Sequence, residues 1–212
     1  MSLPKALATR LSQPLPGVDA HLLAAHPARR LTVPEGVTPR EAGVLVLLYA
    51  DGDGAWRFPL IERASHHQGD RHRGQIGLPG GKREDEDADL SATALREAEE
   101  EVGVPREEVR VLGRLTPLYI PVSNFRVTAT VGFAERRPSY VRQETEVARV
   151  IEAAVAELLD EGAVRHRDVA IDGRLTLQQV PYYALGGEVV WGATAMMLSE
   201  LRTVLRGLGP LA

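Results

Sequence analysis

Three glutamates near the middle of the chain, Glu97, Glu100 and Glu101, have a spacing that could hold a metal ion. In an α-helix, residues at i, i+3 and i+4 lie on one side, so a helix here would gather all three carboxylates. Gathered carboxylates repel one another, and like charges four residues apart destabilise an isolated helix. Hard divalent cations relieve that repulsion, because they favour oxygen ligands and commonly bridge carboxylates to substrate phosphates. The spacing therefore predicts a Mg²⁺ or Mn²⁺ site.

The residues that flank these glutamates fit the same chemistry. Arg96 lies beside them and could orient one carboxylate through a bidentate ion pair. Gly80 and Gly81 belong to a loop whose backbone can approach a metal or a substrate phosphate closely, and Gly80 is a candidate for substrate contact. Gly103 provides a stop for the helix. A glutamate-rich helix is also typical of a solvated surface, but Arg96 and the glycines at fixed spacing favour the metal site.

The whole segment resembles the Nudix box, written GX5EX7REUXEEXGU, in which U is a bulky apolar residue. Arg96–Val104 follows the second half of this motif, with the smaller Ala98 at the first U position, and Gly81 stands at the opening glycine. There are two departures. Asp87 takes the place of the first glutamate, and the stretch from Gly81 to Arg96 is one residue longer than the motif. Both departures precede the metal helix, so they concern the role of Asp87 rather than the metal site.

Further segments resemble one branch of the Nudix family, the enzymes that act on coenzyme A. That branch shares both departures and carries an upstream run, Gly-x-x-x-Phe-Pro-Gly-Gly, which here is Gly74–Gly81 with Leu78 in place of phenylalanine. Tyr119–Phe125 and Trp191–Ala195 also resemble the branch, and the likeness spans roughly residues 40–200. The basic part of the branch signature is matched in part, with altered spacing, by Arg63, Ala64 and Ser65 and by Arg71 or Arg73.

The resemblance implies a Nudix-type α/β/α sandwich with a mixed β-sheet, which is an α/β (α+β) fold. It implies that Glu97, Glu100 and Glu101 bind Mg²⁺ or Mn²⁺. The Gly81 carbonyl would add a metal ligand, and Arg96 would orient a glutamate. Glu97, Glu100 and Arg96 are therefore the candidates for the catalytic set.

The implied reaction is the hydrolysis of a pyrophosphate bond in a small-molecule nucleoside-diphosphate derivative. The ions would neutralise the diphosphate and activate a water for in-line attack on phosphorus, while a carboxylate accepts the proton. The identity of that carboxylate stays open, with Glu144 or Glu146 as a contributor from a later loop. With coenzyme A or a derivative as substrate, the products would be 4′-phosphopantetheine, or its acyl form, and adenosine 3′,5′-bisphosphate.

Two other functions compete with this one. A Nudix pyrophosphatase for ADP-ribose or another nucleoside-diphosphate derivative would share the box, and substrate preference would distinguish it. A non-catalytic, nucleotide-sensing Nudix domain would generally lack box carboxylates, whereas Glu97, Glu100 and Glu101 are all present.

Basic and aromatic residues around the box are candidates for substrate binding. Arg63, Arg71 and Arg73 could bind the 3′-phosphate that distinguishes coenzyme A, because arginine suits phosphate oxyanions. A hydrated basic loop is the alternative. Tyr119 or Phe125 could stack on adenine or pack on the pantetheine arm, unless both are simply buried aromatics of a loop between strands.

The composition argues against several other classes of protein. The chain has 212 residues, 25 Lys and Arg against 29 Asp and Glu, and no cysteine. Disulfides, thiolate metal sites and a cysteine nucleophile are therefore excluded. The net charge of −4 argues against a nucleic-acid-binding surface. No stretch resembles a signal peptide or a membrane span, so we expect a cytoplasmic protein without a nucleic-acid or membrane partner. The sequence leaves the oligomeric state open, a homodimer included.

The pattern along the chain predicts a lead-in followed by one domain. Proline-rich residues 1–40 predict a short helix and an irregular segment, and residues 41–212 predict the Nudix hydrolase domain. Within that domain, the apolar run Val44–Ala50 is typical of a strand buried on both faces. The clearest helix is Leu90–Gly103, and Gly192–Arg206 predicts an amphipathic closing helix. The remaining predictions are strands at Trp56–Glu62, Val109–Leu115 and Phe125–Ala134, a helix at Ile151–Asp160 and a hairpin at Val164–Val180.

Overall fold

The structure is a computed structural model that describes residues 2–64, 74–170 and 176–209. The helices are α1 (Leu3–Leu11), α2 (Val18–Leu22), α3 (Leu90–Val102), α4 (Val155–Leu159) and α5 (Gly192–Arg206), with a short 3₁₀ helix at Arg106–Glu108. The strands are β1 (Arg40–Ala50), β2 (Trp56–Arg63), β3 (Ile76–Gly77), β4 (Gly80–Lys82), β5 (Arg110–Arg114), β6 (Leu118–Ile120), β7 (Phe125–Phe133), β8 (Val147–Ala154), β9 (Val164–Ala170), β10 (Thr176–Leu185) and β11 (Glu188–Trp191).

The strands form two sheets. The larger sheet has eight strands in the order β3-β2-β1-β7-β5, with β4 paired to β1, β6 to β7 and β8 to β2. It is mixed, because β1 and β7 run parallel while β2 and β4 pair with β1 in the antiparallel sense. The smaller sheet is antiparallel, in the order β11-β10-β9. The α+β fold with a mixed sheet that the sequence predicts is confirmed.

Strand β1 lies at the centre of the larger sheet and is buried on both faces, as its apolar run predicts. Side chains alternate across a strand, so successive residues of β1 enter different clusters. Leu45 and Leu47 pack with Ala94 and Ala98 of α3, whereas Val46 belongs to the opposite cluster, which contains side chains of α1 and α5. Burial of this apolar surface fixes α3, which carries the three glutamates, against the most central strand.

The opposite face of the sheet is covered by the two ends of the chain. Helix α1 buries Leu3, Leu7 and Leu11, which recur every four residues and so lie on one side of the helix. Helix α5 buries a longer apolar stripe that enters the same core cluster. The proline-rich lead-in therefore packs on the main core, and it contains α2 in addition to the one helix predicted. None of the helices in the described ranges has the length and apolar character needed to cross a membrane.

One predicted element is wrong. Ile151–Asp160 is not a helix, because residues up to Ala154 continue β8, and only Val155–Leu159 forms the short α4. Strand β8 pairs antiparallel with β2 along almost its whole length, and this pairing overrides the helix preference of its alanines. The hairpin at Val164–Val180 is confirmed by the pairing of β9 with β10, although residues 171–175, which join the two strands, fall outside the described residues.

Candidate active site

Helix α3 has defined signals at both ends. The carboxylate of Asp89 accepts hydrogen bonds from the amides of Ser91 and Ala92, both at 2.9 Å, and caps the start of the helix. Gly103 ends it in the left-handed region with φ of 71°. A Cβ at Gly103 would also lie 2.9 Å from Val141. The predicted helix stop is confirmed. The absence of a side chain at Gly103 also lets the later loop at Val141 pack against the end of the helix.

Arg96 is the hydrogen-bonding centre of the site. Its Nε and Nη2 atoms donate to the two carboxylate oxygens of Asp87, each at 3.0 Å, and Nη2 also donates to the Lys82 carbonyl at 3.0 Å. Its Nη1 atom donates to Glu97 at 2.9 Å and to Glu100 at 3.1 Å. The Arg96 guanidinium holds the pKa of buried Asp87 well below its usual range. Asp87, whose role the sequence left open, therefore anchors the arginine that orients two of the three glutamates.

Glu101 is the most deeply buried of the three glutamates, with 2% of its surface exposed. Its Oε2 atom accepts a hydrogen bond of 2.8 Å from the Gly80 amide, and its Oε1 atom lies 3.9 Å from the Arg63 guanidinium. Burial raises the pKa of Glu101 to about 7, and the nearby charges of Glu97 and Glu146 add to this effect. Glu101 is thus a buried carboxylate beside other carboxylates, and the Arg63 guanidinium at 3.9 Å balances its charge only in part. Such a position favours the binding of additional positive charge.

Glu97 lies against Gly81 with no space between them. A Cβ placed on Gly81 would lie 2.5 Å from the carboxyl carbon and from both carboxylate oxygens of Glu97. Burial raises the pKa of Glu97, although the hydrogen bond from Arg96 opposes that rise. The opening glycine of the motif thus keeps the Glu97 carboxylate against the backbone of β4.

We predict that Gly81→Ala lowers kcat by roughly tenfold or more, because the added methyl group must displace the Glu97 carboxylate. Fold stability should change little, since the displaced atoms are the end of a side chain. Steady-state kinetics and thermal unfolding would measure both effects. Gly52→Ala is the matched control, because a Cβ there meets nothing within 4 Å. Unchanged kcat for Gly81→Ala would show that this contact is unimportant for the reaction.

The three glutamates are engaged by protein donors in this structure. In the described ranges, no group of three acidic or histidine side chains has a geometry that could already hold a metal ion. Arg96 binds Glu97 and Glu100, and the Gly80 amide binds Glu101. The donor set is nevertheless composed of oxygen atoms, which suits a hard divalent cation. A cation would compete with Arg96 for two carboxylates and would offset the buried charge of the third.

A later loop brings a fourth glutamate to the site. The amide of Gln143 donates to the carbonyl of Glu101 at 2.8 Å, so this loop follows the end of α3. The charge of Glu146 raises the pKa of two box glutamates. Glu144 is instead held by Arg142 at 3.1 Å. The sequence left two candidates for accepting the proton. Of these, Glu146 is the one whose charge raises the pKa of Glu97 and of Glu101.

The remaining candidates for substrate binding lie in different places. Arg63 reaches the site through Glu101, whereas Arg71 and Arg73 lie outside the described residues. Tyr119 is buried, and its hydroxyl donates to the side chain of Asn124 at 3.1 Å. The structure therefore places one of the basic candidates beside the carboxylates and gives Tyr119 a partner of its own.

Phe125 lies at the start of β7 and pairs with Arg40 of β1, which lines an open cleft. The Arg40 guanidinium lies 4.1 Å from the centre of the Phe125 ring, in a cation–π contact that the sequence did not predict. The cleft has a volume of about 380 Å³ and is lined by Arg40, Glu41, Lys82, Arg83, Glu84 and Asp85. Because Lys82 follows Gly81 directly in β4, the cleft adjoins the carboxylate site.

Comparisons with known proteins identify the family. The family model for the NUDIX domain matches residues 39–173. The protein named "Uncharacterized Nudix hydrolase NudL" from Cronobacter sakazakii is 41% identical over 134 residues, which cover 62% of this chain and 67% of that protein. Its namesake from Yersinia pestis is 34% identical over 164 residues, which cover 77% and 79%.

A solved structure supports the same fold. The Nudix hydrolase RenU from M. smegmatis superimposes with a TM-score of 0.56 at 18% identity, covering 87% of this chain and 99% of that one. Nudix enzymes generally use divalent metal cations, which agrees with the all-oxygen donor set of the site. The matched range contains the whole of α3 and the strand before it. The chain therefore belongs to the Nudix family, and it is a pyrophosphatase of that family.

Proposed function

We propose that this enzyme hydrolyses the pyrophosphate bond of coenzyme A or its derivatives, giving 4′-phosphopantetheine, or its acyl form, and adenosine 3′,5′-bisphosphate. One observation carries the proposal. The Gly74–Gly81 run, which resembles the coenzyme A branch, contains the Gly80 amide that binds Glu101 and the Gly81 backbone that contacts Glu97. The residues typical of the branch are thus in direct contact with the carboxylates. A cytoplasmic location remains a prediction from the sequence, which leaves the oligomeric state open, a homodimer included.

We assign Glu97, Glu100 and Glu101 as the ligands of Mg²⁺ or Mn²⁺, with the Gly81 carbonyl as a further ligand. When bound, the cation would neutralise the diphosphate and lower the pKa of a water molecule, so that the water can lose a proton and attack phosphorus as hydroxide. Arg96 would keep the first two carboxylates oriented by holding them from one side. Its own position is fixed by the bidentate ion pair with Asp87.

Proton transfer and substrate orientation fall to residues around the carboxylates. Glu146 would accept the proton of the attacking water, since it is exposed and its charge already acts on the box. Arg63 is about half exposed beside Glu101, which leaves its guanidinium available to a phosphate group of the substrate. An adenine or pantetheine group would pack on Phe125, whose ring contacts Arg40 of the cleft, or on Tyr119.

The basic residues before the box provide the specificity part of the proposal. We propose that Arg63, Arg71 and Arg73 bind the 3′-phosphate that coenzyme A carries and that other ADP derivatives lack. Replacing Arg71 and Arg73 should then reduce turnover of coenzyme A more than turnover of dephospho-coenzyme A. Equal losses on both substrates would assign these arginines to general attraction of anions.

The experiment that tests this function compares four substrates in the presence of Mg²⁺ or Mn²⁺: coenzyme A, dephospho-coenzyme A, ADP-ribose and a diadenosine polyphosphate. We expect the fastest hydrolysis with coenzyme A, accompanied by release of adenosine 3′,5′-bisphosphate, and we expect Glu100→Gln to remove it. A preference for ADP-ribose would support the carboxylate site but would make ADP-ribose, and not coenzyme A, the substrate. Absence of hydrolysis on all four, with metal bound, would favour a nucleotide-sensing role.

A further inference from the structure

A second cavity lies away from the box, between the lead-in, β10 and the start of α5. Its volume is about 180 Å³, which suits a small molecule rather than a nucleotide. The lining residues are mostly apolar or small: Ala24, His26, Ala28, Arg29, Leu177, Val180, Trp191, Gly192 and Met196. None of them belongs to the carboxylate site.

Arg29 is the unusual member of this lining. Its Nε and Nη2 atoms are shielded from water and have no hydrogen-bond partner among the described residues. Removal from water lowers the pKa of Arg29, although an arginine remains charged at neutral pH. Burying these two donors without an acceptor is costly, because they lose their hydration and gain no hydrogen bond in return.

No other lining residue in the described ranges balances this charge. None of them is acidic, and His26 uses both ring nitrogens. Its Nδ1 atom accepts a hydrogen bond from the Ala28 amide, and its Nε2 atom donates to the Gln178 carbonyl, each at 3.2 Å. This pattern describes the uncharged form of the ring. Arg29 is thus a single positive charge facing apolar walls.

We propose that this cavity binds the carboxylate of a small organic acid. The carboxylate would pair with the guanidinium of Arg29, the one arginine among the described lining residues, and Leu177, Trp191 and Met196 would pack on a short hydrocarbon chain. A phosphate is a poorer match, because one arginine among apolar side chains cannot replace the hydration of a dianion. A neutral ligand would leave the arginine unpaired. The site is independent of the carboxylate centre and of its substrate.

Trp191 provides a direct probe of binding. The chain has two tryptophans, Trp56 and Trp191, so Trp56→Phe leaves the one that lines the cavity. We expect butanoate to change the fluorescence of this variant in a saturable way, and butanamide, its neutral isostere, to have no such effect. In the same background, Arg29→Met should weaken butanoate binding by roughly tenfold or more, because a charged hydrogen bond is lost. Arg30→Met, at an exposed neighbour that does not line the cavity, should bind as before.

Thermal unfolding provides a second, independent measurement. Without ligand, Arg29→Met should be as stable as the parent protein or more stable, because two shielded donors without a partner are replaced by an apolar side chain of similar length. Butanoate should raise the midpoint of unfolding for the parent and not for Arg29→Met. The proposal is overturned by a response to butanamide equal to that to butanoate, by unchanged binding in Arg29→Met, or by no saturable response at all. Marked destabilisation of Arg29→Met would overturn it too, since Arg29 would then have a structural partner.

Discussion

Replacing Glu97 with glutamine is expected to lower kcat by about two to three orders of magnitude, the range typical of losing one preorganised group that stabilises developing charge. The carboxylate of Glu97 is fixed between the Arg96 guanidinium and the backbone of Gly81. Glutamine keeps an oxygen that can accept from Arg96, so the side chain should remain in place. What it loses is the negative charge that a divalent cation needs.

The same substitution should leave the fold at least as stable. Burial raises the pKa of Glu97, so its ionised form is less favourable in the folded protein than in the unfolded chain. At neutral pH this charge therefore opposes folding, and the uncharged glutamine removes the effect. Activity and stability should move in opposite directions, which is typical of a residue retained for function.

Three measurements test this prediction together: steady-state kinetics, calorimetric titration with Mg²⁺ or Mn²⁺, and denaturant unfolding. We expect lower kcat, weaker metal binding and unchanged or higher stability. Glu99→Gln is the matched control, because Glu99 lies on the same helix but pairs with Arg106 and not with Arg96. It should retain normal kcat and metal affinity. A loss of stability in Glu97→Gln, parallel to its loss of activity, would instead give Glu97 a structural role.

Local signals explain which parts of the site could be predicted from the sequence. The period of α3, its stop at Gly103 and the apolar run of β1 are each contained in a short stretch of chain, and each is found in the structure. The grouping of Glu97, Glu100 and Glu101 on one helix follows from helix geometry alone. The part of the site carried by one helix was therefore open to prediction.

Contacts that no regular local pattern specifies explain what could not be predicted. Strand β8 has a helix-like composition and becomes a strand through pairing with β2, about 90 residues earlier. The ion pair of Asp87 with Arg96 depends on how the loop before α3 folds back on the helix. Neither the spacing nor the residue types of these segments specify their partners. Tertiary pairing decided both cases.

The largest effect on stability should come from another distant contact, between α5 and the lead-in. Glu200 is completely buried, and its carboxylate accepts hydrogen bonds from three residues. The Gly17 amide (2.9 Å) and the Thr116 hydroxyl (2.6 Å) donate to Oε1. The Thr116 amide (2.9 Å) and His21 Nε2 (3.1 Å) bind Oε2. One carboxylate therefore joins the lead-in, the segment after β5 and the closing helix.

Glu200→Ala is expected to lower the free energy of unfolding by about 3–5 kcal/mol, the usual effect of removing one partner from a buried polar pair. Glu200→Gln separates hydrogen bonding from side-chain volume, because glutamine is almost the same size. In either orientation its amide group faces a backbone N–H, of Gly17 or of Thr116, which it cannot satisfy. We expect this variant to lose about 1–3 kcal/mol. Urea unfolding measures both, with the exposed Glu161→Gln as the control.

The pH dependence of unfolding tests the electrostatic part of this contact. Burial alone would raise the pKa of Glu200, but the hydrogen bonds from His21 and Thr116 outweigh it and lower the pKa. A carboxylate with a lowered pKa stabilises the fold above its unfolded pKa of about 4.3, and the effect is lost as the pH falls below that value. The stability difference between the parent protein and Glu200→Gln should therefore be present at pH 7 and shrink below about pH 4. A difference that stays constant across this range would assign the effect to packing, and the ionised carboxylate would no longer be the group that holds the lead-in to the core.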